Sequence, residues 1–174
     1  MNEICQEEIF FNYLIEKTKK TYKQSPVYEK YNGENWNYAI CDTPIKKNAP
    51  VLFGLNWGGK NHNTQDKMPK KNYLRKFKLA KHANKYLKKY FLVEIDNINY
   101  TNLCFFRTPS TKHLTHKDWE LSFPLFKEFI EFIQPPFCIM LGKPNMILKK
   151  HIKNFKTIVY ESKGEKKAYA YVGI

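Results

Sequence analysis

Two short segments, residues 54–59 (GLNWGG) and 100–104 (YTNLC), each carry an asparagine within or after a predicted strand. An Asn side chain offers one acceptor and two donors, enough to read the Watson–Crick edge of a pyrimidine. Glycines at the end of a strand let the backbone approach a ligand closely. Each segment also has a structural interpretation, in which Asn56 caps a tight turn and Asn102 caps a loop.

The loops after these segments hold groups that bind phosphate. Arg107, Ser110 and His113 follow the second segment, and Lys60 and His62 follow the first. Such side chains commonly contact the nucleic-acid backbone, so we predict that they bind DNA. The first loop is neither G-x-G-x-x-G nor a P-loop, because no Gly-Lys-Ser/Thr follows, and nucleoside triphosphate chemistry is therefore disfavoured.

Residue spacing gives little support to a metal site. His113 and His116 have no evident third ligand nearby, so exposed loop histidines are favoured over a zinc site. The four cysteines stand at 5, 41, 104 and 138, without a C-x-x-C pair. We expect them to be small buried residues in a reducing cytoplasm. We predict no metal and no cofactor.

The chain begins MNEICQEEIF, which is acidic and lacks the long apolar stretch of a signal peptide. No apolar run approaches the ~18 residues that a membrane span needs. These features predict a cytoplasmic protein with no membrane partner.

The charge balance points to a polyanionic partner. Lys and Arg number 30 against 16 Asp and Glu, a formal net charge of +14, and aromatic residues make up 16% of the chain. Lys and Arg hold phosphates while exposed rings stack on bases. Residues 69–91 form a predicted basic amphipathic helix, which is either a nucleic-acid surface or a solvated face over a core stripe.

The length of 174 residues suits one domain over residues 1–174, with a core at 48–174. Apolar periodicity predicts an N-terminal helix at 3–21, loops or short extended pieces at 24–50, and further helices at 119–133 and 144–153. Strands are predicted near 51–56, 98–104, 137–142 and 156–161. This alternation implies an α/β fold with a parallel sheet between helices, whose ligands bind at the carboxyl ends of the strands.

Three segments in this order, VLFGLNWGG, YTNLCFFRTP and LFKEFIEFIQPPFCIMLGK, resemble the uracil-DNA glycosylase superfamily over residues 48–162. The resemblance implies a three-layer fold with a four-stranded parallel sheet in the order 2-1-3-4. It also implies a hydrolase of DNA repair that excises uracil or another modified pyrimidine by base flipping and hydrolysis of the N-glycosidic bond.

The resemblance assigns roles residue by residue. Asn56 matches the residue that positions the attacking water, and Asn102 matches the residue that reads the base. Gly54 borders the base pocket. Trp57 stands where the superfamily has Pro, and Met68 lies near the position of its stacking ring.

One departure leaves other functions open. The superfamily's C-terminal His-Pro-Ser segment, which supplies a catalytic His, is not found, and the chain ends close to where that segment would begin. We therefore expect either a shortened chain or a lost or rebuilt His. The alternatives are a catalytically silent nucleic-acid-binding module with the same fold and a small-molecule- or nucleotide-binding α/β protein whose basic charge is incidental.

Overall fold

The structure is a computed structural model, and its residues group into two compact units, 1–141 and 142–174. The described residues are 5–31, 36–58, 64–72, 83–142, 146–151, 156–161 and 167–172. The prediction of one domain over residues 1–174 stays a prediction. Among the described residues, no helix is both long enough and apolar enough to cross a membrane.

Two helices precede the sheet. Helix α1 spans Gln6–Tyr22, with acidic residues in its first turn and lysines in its last, the arrangement that the helix dipole favours. Helix α2 spans Pro26–Tyr31 and lies in a segment predicted to be loops or extended pieces, so that prediction missed it. Its beginning follows from local chemistry, because Pro26 suits a first helical position and the hydroxyl of Ser25 accepts from Tyr28 N.

The first unit contains a three-stranded parallel sheet in the order β2-β1-β3. Its strands are β1 (Val51–Trp57), β2 (Asn99–Arg107) and β3 (Cys138–Met140). Most of β1 and β2 is buried, as expected for parallel strands with helices on both faces. An α/β fold with a parallel sheet between helices is therefore confirmed, together with the adjacency of the first two strands.

The second unit contains helix α4 (Met146–His151) and an antiparallel pair, β4 (Lys156–Glu161) with β5 (Lys167–Val172). The predicted fourth strand of a parallel sheet is not confirmed, because the partner of β4 is β5. Both segments are rich in β-branched and aromatic residues and are separated by five residues in the sequence, which favours a hairpin.

Helix α3 (His116–Ile133) covers one face of the sheet and begins before the predicted residue 119. Phe126 contacts Phe53 of β1, and Phe129 contacts Phe105 of β2. The helix begins at a capping box formed by Thr115 and Asp118. The early start was missed because this cap precedes the apolar stripe on which the prediction rested.

The opposite face of the sheet is covered by the described end of the predicted helix at 69–91. Residues 83–86 are helical and continue into a π-helical turn, Leu87–Phe91. Leu87 belongs to one buried apolar cluster with Leu52 of β1, and Tyr100 of β2 packs against this cluster. The face that carries Leu52 also carries Gly54, because side chains two residues apart share a face of a strand.

Candidate functional site

Gly54 and Asn102 are register partners on the two central strands. A Cβ added to Gly54 would overlap the Oδ1 of Asn102 and would lie 3.6 Å from the hydroxyl of Tyr100. Only a residue without a side chain lets the Asn102 amide occupy this position. We call Gly54, Tyr100 and Asn102 the Gly54 cradle.

The Asn102 amide has no hydrogen-bond partner among the described residues, and the residue as a whole is 3% exposed. Asn99, on the same strand and also buried, shows the contrasting case. Its amide accepts from Lys46 N at 2.8 Å and donates to Lys46 O at 2.8 Å. An amide that no described residue pairs, on a nearly buried residue, is available to bind a ligand.

A second aromatic ring borders the Gly54 cradle beside that of Tyr100. The ring of Trp57, which is 5% exposed, meets the ring of Tyr100 edge-on, with centroids 5.8 Å apart. Trp57 follows an irregularity in the β1–β2 register that begins after Asn56. Burial, together with the carboxylate of Asp42, raises the pKa of the Tyr100 hydroxyl, which therefore stays protonated and available as a donor.

Arg107 extends this cluster at the end of β2. Its guanidinium carbon lies 5.7 Å from the centroid of the Trp57 ring. Burial lowers the pKa of Arg107, and the attraction of Asp42 opposes that shift. Burial likewise raises the pKa of Asp42, whose backbone N donates to the carbonyl of Tyr100.

Asn56 is held by a chain of hydrogen bonds through the loop after β2. Its Nδ2 donates to Thr108 Oγ1 at 2.8 Å, and Thr108 Oγ1 donates to the carbonyl of Ser110 at 2.9 Å. The Ser110 carbonyl can only accept, so the Thr108 hydroxyl has only lone pairs left for Asn56. The amide is thereby oriented with Nδ2 bound, and Oδ1 accepts no hydrogen bond from a described residue.

The structure brings the predicted site residues together in three groups. Gly54 contacts Asn102, Trp57 contacts Arg107, and Asn56 is linked to Ser110 through Thr108. None of the described contacts joins the side chains of the two asparagines. We predict that both side chains face one pocket, which these contacts do not test.

The other predicted contacts are placed less centrally. Lys60 and His62 lie outside the described residues, and Met68 is half-buried. The Ser110 hydroxyl accepts from Lys112 N at the start of a 3-10 turn. His113 is half-buried beside the ring of Tyr31, with centroids 6.1 Å apart, and so is not the exposed loop histidine that was expected.

Sequence reasoning missed three residues of this region. Tyr100 could have been found by its spacing of two from Asn102, which places both on one face of β2. Thr108 and Asp42 gave no signal, because their roles depend on contacts between distant segments. Asp42 stands in the segment predicted to be loops or short extended pieces.

The four cysteines, all among the described residues, include both buried and exposed thiols. Cys41 and Cys104 are buried, and burial raises the pKa of Cys104 to about 12. Cys5 and Cys138 are exposed, so the expectation of four buried thiols is wrong for these two. Within the described ranges, no three His, Cys, Asp or Glu side chains come together as metal ligands.

In comparisons with known proteins, the chain matches no protein-family model, and a search of curated proteins finds no sequence match.

Proposed function

We propose that this protein is a DNA glycosylase that excises uracil or another modified pyrimidine. The observation that carries the proposal is the Asn102 amide, which lies over Gly54 on a residue that is 3% exposed and has no partner among the described residues. A free amide offers both a donor and an acceptor to a flat ligand with a carbonyl and an N–H. Uracil presents this pair on its Watson–Crick edge.

The rings around the Gly54 cradle suit a base taken out of the helix. A flipped base loses its stacking partners, and aromatic side chains replace part of that loss. Trp57 and Tyr100 supply the rings, and the missing Cβ at Gly54 leaves the Asn102 amide at the sheet surface. Pocket shape and amide contacts together then select the base.

Asn56 would position the attacking water. Its Nδ2 is bound to Thr108, which leaves Oδ1 to accept a hydrogen bond from water. An amide is too weak a base to take a proton in the ground state, so this group acts by positioning. In the reaction the C1′–N bond breaks and its electron pair leaves with the base. Water oxygen then bonds to C1′, one proton passes to solvent, and the base anion takes up a proton.

The proposal extends to the fold and to the partner. The order β2-β1-β3 supports the first three positions of a glycosylase-like sheet, and a fourth parallel strand belongs to the proposal. The net charge of +14 supports DNA as the partner. Exposed Lys112 and Lys117 lie in the loop after β2 and at the start of α3, near the carboxyl end of β2.

The experiment separates cleavage from binding. A panel of duplexes, each with one modified base, is incubated with the protein and tested for alkali-labile abasic sites and for a gel shift. A glycosylase produces abasic sites, and its affinity falls with salt at a log–log slope of about −0.9 per neutralised phosphate. A gel shift without abasic sites would instead support the catalytically silent binding module.

A further inference from the structure

Two buried N–H groups beside the Gly54 cradle have no hydrogen-bond acceptor among the described residues. They are the indole Nε1 of Trp57 and the Nε of Arg107. Buried donors in folded proteins are nearly always paired with protein or with bound molecules. The two unpaired donors, which lie on neighbouring side chains, can therefore both bind an acceptor in the working state.

The two donors belong to one structural unit. Trp57 and Arg107 are register partners at the ends of β1 and β2, and the guanidinium lies over the indole ring at 5.7 Å. Tyr100 joins this pair to the Gly54 cradle, because its ring contacts Trp57 while its hydroxyl lies beside Gly54. An acceptor held by this pair would therefore lie close to a base read by Asn102.

The charge of the pair favours an anionic acceptor. Arg107 remains a cation at neutral pH, and among the described residues it has no direct ion pair with a carboxylate. Asp42 is the nearby acidic group, and Tyr100 is the other titratable group beside it. A half-buried guanidinium without a direct counter-ion stabilises negative charge more strongly than an exposed one, because water screens it less.

We infer that Trp57 Nε1 and Arg107 Nε hold the negative charge that develops on the departing pyrimidine, an inference that rests on the proposed glycosylase function. When the C1′–N1 bond breaks, its electron pair stays on N1 and spreads to the neighbouring carbonyl oxygen. Donors aimed at that oxygen lower the barrier, because they bind the transition state more tightly than the ground state. Arg107 thus contacts the base, where the sequence pattern favoured a phosphate.

The test compares two leaving groups. Trp57→Phe removes the N–H and keeps a ring, and Arg107→Lys removes Nε and keeps the charge. Single-turnover excision is measured on duplexes with deoxyuridine or with 5-fluorodeoxyuridine, whose base forms the more stable anion. Each variant should lose roughly 10²- to 10³-fold in rate on uracil, the loss typical of removing one donor to a developing anion. The loss on 5-fluorouracil should be clearly smaller.

Matched controls separate this role from folding. Trp119→Phe on α3 changes a half-buried tryptophan outside the cluster and should leave both rates unchanged. Wild-type protein that releases both bases, with variants that lose nothing or lose equally on the two, overturns this inference alone. Wild-type protein that releases neither base overturns the proposed uracil excision as well.

A spectroscopic readout covers the case in which a variant folds poorly. The indole N–H resonance of Trp57, assigned by its absence in Trp57→Phe, should move downfield when wild-type protein with an abasic duplex binds free uracil. An unchanged resonance at saturating uracil overturns the inference, because the chemical shift of an N–H must change when that N–H donates a hydrogen bond to the bound base.

Discussion

The Oδ1 of Asn102 fills the space that a Cβ on Gly54 would need. The two residues are register partners, so the contact is fixed by strand pairing rather than by a flexible loop. A glycine on one strand thus sets the position of an amide on the next. The relationship explains why these two residue types occur together on adjacent strands.

Adding one methyl group at Gly54 should disturb the site more than the fold. In Gly54→Ala the new Cβ meets the end of the Asn102 side chain, which must rotate away. Overpacking of this kind costs about 1–3 kcal/mol of stability. We expect excision of the preferred base to fall by at least tenfold, a change of about 1.4 kcal/mol in the barrier.

Gly58→Ala is the matched control. Among the described residues, a Cβ at Gly58 would meet the carbonyls of Pro109 and Thr108, at 3.9 and 4.0 Å, which are ordinary contacts. Excision rates and urea unfolding midpoints are measured for both variants. Equal rates in the two would contradict the role given to Gly54.

Replacing Asn99 should affect the stability of the fold, whereas replacing Asn102 should affect recognition of the base. Asn99→Ala leaves Lys46 N and Lys46 O without their partner, so the free energy of unfolding should fall by about 1–3 kcal/mol. Asn102→Ala loses no hydrogen bond to a described residue and should change it by less than about 1 kcal/mol.

Discrimination between bases should depend on Asn102 rather than on Asn99. Asn102→Ala should weaken discrimination between the preferred base and its competitors by roughly 1–3 kcal/mol, because the base edge loses its partner. Urea denaturation and competition binding measure the two quantities. An Asn102→Ala protein that unfolds as easily as Asn99→Ala yet discriminates normally would refute the assignment.

Thr108 should matter for the rate but not for DNA binding. Thr108→Val removes the acceptor that orients the Asn56 amide, so the water would be held less accurately. We expect cleavage to slow roughly 10- to 100-fold, a loss typical of small misplacements of a reacting group. Thr108→Ser keeps the hydroxyl and should restore most of the rate. Binding to an abasic duplex should be the same in all three proteins, and a matching loss of binding would argue against a role in positioning.

The sequence was sufficient for the parts of the fold that depend on local patterns. The apolar run at 51–53 and the stripe of Phe126 and Phe129 predicted a buried strand and its covering helix, and both are present. Helix α2 was missed because six residues are too few to establish a period. The pairing of β4 with β5 was not predicted, for a different reason: a strand's composition does not specify which strand it pairs with.

The candidate site likewise contains residues that the sequence indicated and residues that it did not. Gly54, Asn56 and Asn102 stood out by residue type and position. Thr108 and Asp42 did not, because each acts through a contact with a segment far away in the sequence. Packing between distant segments, which one sequence does not display, decides these roles.

Asp42 should make stability depend on pH. Burial raises the pKa of its carboxyl above the usual 3.8, and the attraction of Arg107 only partly opposes this. The folded protein then holds the proton more tightly than the unfolded chain, so ionisation lowers stability as the pH rises from about 3.8 through the folded-state pKa. Asn cannot ionise, and Asp42→Asn should therefore unfold at higher urea than wild type at neutral pH.

The difference between the two proteins should vanish below the usual pKa of an aspartate, where the wild-type carboxyl is protonated in both states. Urea midpoints at several pH values give the comparison. Lower stability of Asp42→Asn at neutral pH would mean that attraction to Arg107 outweighs burial, contrary to the direction of the shift.

The most direct test of the glycosylase assignment is mass spectrometry of a duplex with one deoxyuridine after incubation with the protein. We expect free uracil and a strand that has lost the base and gained one water. We also expect Asn102→Ala and Asn56→Ala to release much less uracil while remaining folded. Intact strands after incubation with folded, DNA-bound wild-type protein, across uracil and the other modified pyrimidines, would contradict the account.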